Sequence, residues 1–366
     1  VAFANHYLGD NNYITVYKQQ GVDSTQKKID KPAITAIPSN RDYQSRFVSE
    51  IKDSKVEPIQ PQFVNFKRDL AFAKTKKGLP VVYRQDAESG LSTLALHWEM
   101  GECADNRYSV ATDYLDYVGT QSKTLAQIKK ELYRLGCFTS FSTGPTYINL
   151  VISGLDETLP EALAVVEDIM HNAKADAKAY SDLTSLYEKD RADAKKNQRN
   201  NFAALRYMGQ YGEYNPQTND MSIDEMRKTD PQTLLDLIKA LPTYKHEILY
   251  CGPRSLKDLV KLFDKVHQTP KTLKEPLKNK EYTEQTTPKN EVWIAPYEAK
   301  NIYMAMYHND NKAWNADEVP VSALFNEYFG GGMNTVVFQE LREARGLAYS
   351  ASAFFTYQPH KGHPVY

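Results

Sequence analysis

Tyr117-Val118-Gly119, a helical stretch and Leu135-Gly136-Cys137 recur later in the chain as Tyr328-Phe329-Gly330, a second helical stretch and Arg345-Gly346-Leu347. Gly330 follows Gly119 by 211 residues and Gly346 follows Gly136 by 210, so the offset slips by a single residue. The strand-like pair that ends at Trp98 has its counterpart, at nearly the same separation, in Glu291 to Ala295 and Ile302 to Tyr307. A repeat this long exceeds any stacked solenoid unit and reads as duplication of a whole domain. The expected fold class is α+β: two copies of one module, each an antiparallel sheet with helices packed on it, the second copy incomplete.

Working outward, the first copy spans 66–268. Leu79 to Arg84 and Leu91 to Trp98 have strand patterning, and a helix is expected around Tyr108 to Val118. Leu125, Ile128, Leu132 and Leu135 recur at helical spacing, and Gly136 stands where a left-handed C-cap is wanted. Phe138 to Ser142 and Tyr147 to Ser153 read as a hairpin, followed by a helix from Leu159 to Met170 with Pro160 in its first turn. A long charged helix is expected over about Ala175 to Tyr207. Asp230 before Pro231 is an N-cap and N1 pair, and His246 to Cys251 is a last strand. A connector rich in Pro and Lys, 269–289, leads to the second copy, 290–366. Upstream, 1–20 reads as the end of a preceding domain, with an unpartnered strand from Asn12 to Lys18. The stretch 21–65 reads as a linker holding Pro32, Pro38, Pro58 and Pro61 and one short helix after Ser39.

Composition excludes several classes. Charged residues at 25% and hydrophobic residues at 41% match a soluble globular chain and exclude global disorder. Forty-five basic against forty-six acidic residues leave no net field to attract nucleic acid or an anionic membrane. Cys103, Cys137 and Cys251 fit neither a metal spacing nor a disulfide framework and read as small buried hydrophobes. No apolar run is long enough to span a membrane, and no charged-then-apolar leader is seen. Val1 at one end, and a strand-like stretch from Ser350 to Tyr366 at the other, suggest a segment of something longer. The compartment is not legible in it.

The second copy carries the most specific motif. Phe329-Gly330-Gly331-Gly332-Met333-Asn334 leads into Thr335 to Ala344 and then Arg345-Gly346-Leu347-Ala348-Tyr349-Ser350. The glycines fit no phosphate-binding pattern, since Thr335 replaces the sixth-position glycine of G-x-G-x-x-G, and they read as a turn needing positive φ. A glycine-rich turn, a helix carrying Leu-Arg-Glu, and Gly-Leu-Ala-Tyr-Ser resemble the C-terminal-half signature of the M16 (pitrilysin/insulysin) zinc metallopeptidases. The resemblance runs from about Phe66 to the C-terminus. It implies that Arg342 and Tyr349, seven residues apart, face a zinc site held by the other half and bind the substrate backbone. An arginine fork donates to peptide carbonyls and a tyrosine hydroxyl stabilises an oxyanion, which suits those roles. Without the family, Arg342 reads as a solvated helix residue and Tyr349 as an ordinary strand aromatic.

The same resemblance says where zinc would sit if this module were catalytic. Family enzymes carry H-x-x-E-H on the first helix of their N-terminal module, two histidines for the metal and a glutamate for its water. The matching place here is Asp113-Tyr114-Leu115-Asp116-Tyr117, with both histidines replaced. Asp113 and Asp116 read as solvated or capping carboxylates and Tyr117 as an interior residue; a third ligand would fall near Glu188. No histidine has another four residues away, and only His360 and His363 lie close together. No metal is therefore expected on this segment, and zinc is expected in a missing N-terminal half. No nucleophilic triad has the necessary context.

The resemblance implies the non-catalytic C-terminal half of a zinc-dependent M16-type endopeptidase, closing a chamber lined by Ala348 to Phe355 and contacting substrate peptide. The segment alone is expected to be inactive. Its implied partners are the N-terminal catalytic half, or a separate catalytic subunit, and peptide substrate, with no nucleic acid and no membrane span. An alternative from a different class is a catalytically dead structural or peptide-binding subunit acting with a separate catalytic partner. An unrelated duplicated ligand-binding module is a third reading. The family's bacterial members make the periplasm the expected setting.

Overall fold

A computed structural model describes residues 2–9, 12–22, 24–25, 27, 29–30, 43–309, 311–355 and 364–365. The chain divides into two units, Val1–Gln62 and Phe63–Tyr366. In the first, α1 spans Ala2–Tyr7 and α2 spans Arg46–Asp53. Ser45 caps α2 by accepting a hydrogen bond from the Val48 N–H at 3.3 Å, and this is the short helix expected after Ser39. The strand expected over Asn12 to Lys18 is not formed, and Tyr13, Ile14, Val16 and Tyr17 are all exposed. Alternation supplies a face to bury, but a strand also needs a ladder for its backbone groups.

In the second unit, α3 (Phe66–Asp69) leads to β1 (Ala71–Lys74), β2 (Pro80–Gln85) and β3 (Leu91–Trp98). Helix α4 (Arg107–Tyr114) continues as a tight turn over Leu115–Tyr117, and α5 (Leu125–Leu135) comes next. Strands β4 (Cys137–Thr143) and β5 (Ile148–Leu155) form the expected hairpin. Helices α6 (Leu159–Asn172), α7 (Ala177–Ala194), α8 (Gln198–Tyr211), α9 (Ile223–Lys228) and α10 (Pro231–Ala240) precede β6 (Glu247–Gly252) and α11 (Leu256–Val266).

Local chemistry explains most boundaries. Thr124 and Gln127 form a capping box on α5, and Gly136 ends it at φ 62°. Asp230 caps α10 ahead of Pro231. The single helix expected from Ala175 to Tyr207 is two, because the Asn197 side chain accepts from the N–H groups of Arg199 and Asn200 and starts a new helix.

The six strands lie in the order β1-β2-β6-β3-β5-β4. The sheet is not purely antiparallel: β6, last in sequence, inserts between β2 and β3 and runs parallel to β2. Ser92, Leu94, Leu96 and Trp98 of β3, Ile148, Leu150 and Ile152 of β5, and Ile248 and Tyr250 of β6 are buried. Tyr108 and Tyr114 of α4, Leu163 and Val166 of α6, Leu234 and Ile238 of α10, and Leu259 and Phe263 of α11 join them in one core. Each large side chain so buried contributes roughly 1.5–3 kcal/mol relative to exposure.

The α+β class is observed, but no second sheet accompanies the first among the described residues beyond a two-residue pairing late in the chain. Glu291 to Ala295 and Ile302 to Tyr307, expected as strands of the second copy, are unpaired, with Val292, Ile294, Ile302, Met304 and Met306 exposed. Ala348 to Phe355 is likewise not a strand. Beyond the connector the chain forms β7 (Lys312–Ala313), α12 (Val319–Phe329), α13 (Val336–Phe338), a wider-wound π-helical continuation over Gln339–Ala344, and β8 (Pro364–Val365), which pairs with β7. The connector itself is tied down. Asn279 accepts from the Gly101 N–H and donates to the carbonyls of Glu99 and Thr146, and Tyr282 donates to Glu102 at 3.1 Å.

Candidate functional site

Arg342 and Tyr349 meet because the helix carrying Arg342 ends in a sharp reversal. Gly346 takes φ 60°, its N–H reaches the Arg342 carbonyl at 3.0 Å, and the Leu347 N–H reaches the Leu341 carbonyl at 2.9 Å. This left-handed cap turns the chain back along the helix. The Arg342 guanidinium then lies 4.9 Å from the Tyr349 ring centroid and 4.8 Å from that of Phe338, one turn earlier. Contacts of this kind contribute about 0.5–1 kcal/mol each at exposed sites. Glu343 lies 3.8 Å from Arg342, while the neighbouring Arg345 pairs with Glu340. Tyr349 is 88% exposed, so its hydroxyl is open to a ligand.

The triglycine turn does not use the positive φ expected of it. Gly330 is at φ −144°, and none of Gly330, Gly331 and Gly332 adopts positive φ. Gly330 is required by close approach instead, since a Cβ there would lie 2.0 Å from the Ala353 carbonyl oxygen. Asn326 of α12 fixes the same returning stretch of chain, donating to the Phe355 carbonyl at 2.9 Å and accepting from its N–H at 2.7 Å.

The stretch Asp113 to Tyr117 straddles the end of α4. Tyr114 and Leu115 are the buried members; Tyr117, expected inside, is 38% exposed. The helix gives way to a tighter turn at Leu115, which rotates Tyr117 outward. The buried Tyr114 hydroxyl donates to the Asp176 carbonyl at 2.8 Å. Asp113 accepts a short hydrogen bond from the Tyr187 hydroxyl. Burial, and then the adjacent Asp113 carboxylate, push the Tyr187 phenol above its ordinary value. Asp116 is exposed, and Glu188 is paired with Arg227 at 2.6 Å. These residues do not fit zinc: one carboxylate is occupied by a phenol, the third carboxylate by a guanidinium, and neither imidazole is present. Among the described residues no cluster of three or more His, Cys, Asp or Glu could hold a metal ion. His360 and His363 lie outside the described residues.

One polar cluster has no signal in the sequence. His246 and His267 face each other at 2.9 Å between Nε2 atoms, and His267 Nδ1 lies 2.5 Å from Glu167. All three are buried. They come from three separate elements, and no spacing between them marks their meeting.

The six-stranded sheet with its helix layer is the fold of M16 peptidase domains, and residues 247–362 match the family described as peptidase M16 inactive domain. The chain superposes on a peptidase M16 inactive domain from Pseudomonas fluorescens with a TM-score of 0.58 at 16% identity, covering 80% of this chain and 71% of that one. A protease from Helicobacter pylori gives 0.58 at 14% identity, covering 81% and 73%. The periplasmic protease PqqL from Escherichia coli gives 0.63 at 13% identity; 90% of this chain is covered but only 36% of that one. No curated protein matches the sequence. Residues 247–362 thus match an M16 inactive domain, and the fold of the chain is similar to that of M16 peptidase halves. The resemblance drawn from the glycine-rich turn and the Arg342 to Tyr349 spacing therefore holds, and residues 247–362 include both side chains.

Proposed function

We propose that this chain is the non-catalytic C-terminal half of a zinc-dependent M16-type endopeptidase, and that it presents Arg342 and Tyr349 to substrate peptide. The observation that carries this reading is their pairing: a guanidinium held by the Phe338 ring and the exposed phenol of Tyr349, on a helix wound as a π-helix. Such windings recur at functional sites. Arg342 donates to carbonyls of an extended peptide, and Tyr349 donates its O–H to the oxygen of the carbonyl under attack, where negative charge develops. Zinc bound by the N-terminal half would supply the activated water. Residues Asp113, Asp116 and Tyr117 take no part in metal binding, and the partner is the catalytic half of the same protein or a separate subunit. The test uses the full-length protein. Arg342→Ala should raise KM for an unstructured peptide by about ten- to a hundredfold, the worth of one or two charge-assisted hydrogen bonds. An unchanged KM and kcat would overturn the role given to Arg342.

A non-catalytic peptide-binding subunit shares the first step and lacks the second. For that reading, Arg342→Ala weakens peptide binding measured by titration while no turnover is seen in the parent protein.

A further inference from the structure

His246 stands at the entrance to β6 and His267 caps the C-terminus of α11, and the connector begins two residues later. Their hydrogen-bond partners fix the proton count. His246 Nδ1 lies 2.7 Å from the Tyr244 carbonyl, which only accepts, so that nitrogen carries a proton. His267 Nδ1 faces Glu167, whose carboxyl is held down to about 2: burial opposes ionisation, but the nearby His171 and the hydrogen bond from His267 outweigh it. That carboxyl is ionised at neutral pH and accepts, so His267 Nδ1 also carries a proton. The two Nε2 atoms at 2.9 Å have room for one proton between them. Four ring nitrogens thus share three protons, and the pair bears one positive charge against one buried carboxylate.

The groups facing the pair come from every element packed on it. Helix α6 contributes Glu167 and, at its solvent edge, His171, whose Nε2 lies 3.4 Å from the second Glu167 oxygen and whose side chain is 20% exposed. Strand β3 contributes the Trp98 ring, stacked on His246 at 4.8 Å, and α11 contributes Phe263, edge-on to His267. Lys274 lies over the Tyr244 ring, and Lys77 donates to the Thr269 carbonyl.

Both sides of this pair hold the same piece of connector. Gln268 donates its N–H to Glu167 at 3.1 Å. The Lys245 N–H reaches the Lys274 carbonyl at 2.8 Å, the Lys274 N–H reaches the Thr243 carbonyl at 2.9 Å, and Lys245 pairs with Glu275. We propose that His246 and His267 form an acid-sensitive clasp that holds Gln268 and the start of the connector, through residue 275, against the sheet domain while a single proton lies between them. A second proton, reaching the pair by way of His171 and Glu167, gives two N–H groups aimed at each other across 2.9 Å. The rings must then part, and the connector leading to the segment with Arg342 and Tyr349 is released at its root. Burial and the neighbouring His267 hold His246 down to about 4, which places the transition near that pH.

The test is hydrogen exchange of the full-length protein at about pH 7 and about pH 3, on either side of the His246 value and corrected for the pH dependence of intrinsic exchange. Amides of 268–275 should lose protection by about tenfold or more at the lower pH while β3 keeps its own. His246→Gln places an acceptor oxygen where Nε2 was and cannot take the second proton, so this variant should stay protected at both pH values. Unchanged protection in the parent protein, or an equal loss in H246Q, would overturn the clasp. A 15N titration of histidine-labelled parent protein decides independently of whether the variant folds. One shared proton at neutral pH and two at the acidic pH sustain the proposal; an unprotonated pair at neutral pH, or no change between the two, contradicts it.

Discussion

Gly136 and Gly346 occupy matching places in the recurring sequence pattern and adopt nearly the same backbone, φ 62° and 60°, each reversing the chain after a helix. Beyond them the two regions differ. After Gly136 the chain enters β4, paired along its length with β5 and packed on a closed core. After Gly346 it runs past an exposed Leu347 and Tyr349, and none of residues 347–355 joins a sheet. A helix cap is a local device that a few residues specify in any setting. A strand is a property of a pair of segments, and alternation in one of them is not sufficient.

The largest expected contrast is between Trp98 and Trp293. Trp98 is fully buried and donates from its indole to the Leu241 carbonyl at 2.8 Å, so Trp98→Ala should cost about 3–5 kcal/mol in denaturant unfolding. Trp293 is 51% exposed, and Trp293→Ala should stay within about 0.5 kcal/mol. Equal costs would mean that residues 290–355 have a core of their own.

Acid should act on the sheet domain next. His246 titrates at about 4 in the folded chain against an ordinary 6.5, so below 6.5 the unfolded chain takes up a proton that the folded one refuses. The contribution of His246 is therefore intact above 6.5 and is lost as pH drops toward 4, by about 3 kcal/mol at most. Glu167, at about 2 against an ordinary 4.5, extends the loss with the same sign from 4.5 downward. Unfolding curves at about pH 7 and about pH 4.5 check this, and H246Q should flatten the upper part.

Smaller effects separate the two glycines. At Gly136 a Cβ would sit 2.9 Å from the Leu155 Cδ1, whereas at Gly346 nothing lies within 4 Å. Gly136→Ala should cost about 2 kcal/mol, strain plus contact, and Gly346→Ala about 1 kcal/mol from backbone strain alone. Smallest of all, Tyr187→Phe removes one hydrogen bond to an exposed Asp113 and should cost less than about 1 kcal/mol in thermal unfolding.

The same contrast marks how much of the molecule is legible in its sequence. Strand β3 runs from Leu91 to Trp98 as its alternation predicts, and α5 begins after Thr124 and stops at Gly136 as its capping residues predict, because burial periodicity and capping are written in adjacent residues. Strand β1 has four residues, too few for a periodicity to stand out, and α11, which begins after Gly252, is a second element without a sequence expectation. The parallel pairing of β6 with β2 depends on sheet order, which no local pattern encodes. At the candidate site, the seven-residue spacing of Arg342 and Tyr349 is legible, but their stacking depends on the reversal at Gly346. Tyr117 is misplaced when helical phase is carried past the residue where the helix ends. The meeting of Glu167, His246 and His267 is wholly tertiary.

The proposed division of labour puts substrate contacts on this half and metal on the other. Its most direct test is kcat/KM for peptide hydrolysis by full-length Tyr349→Phe, with bound zinc measured on the same preparation. The expected result is a loss of roughly a hundredfold, the scale of one lost oxyanion donor, with zinc content unchanged. An unaltered kcat/KM would contradict the role given to Tyr349 and the division with it.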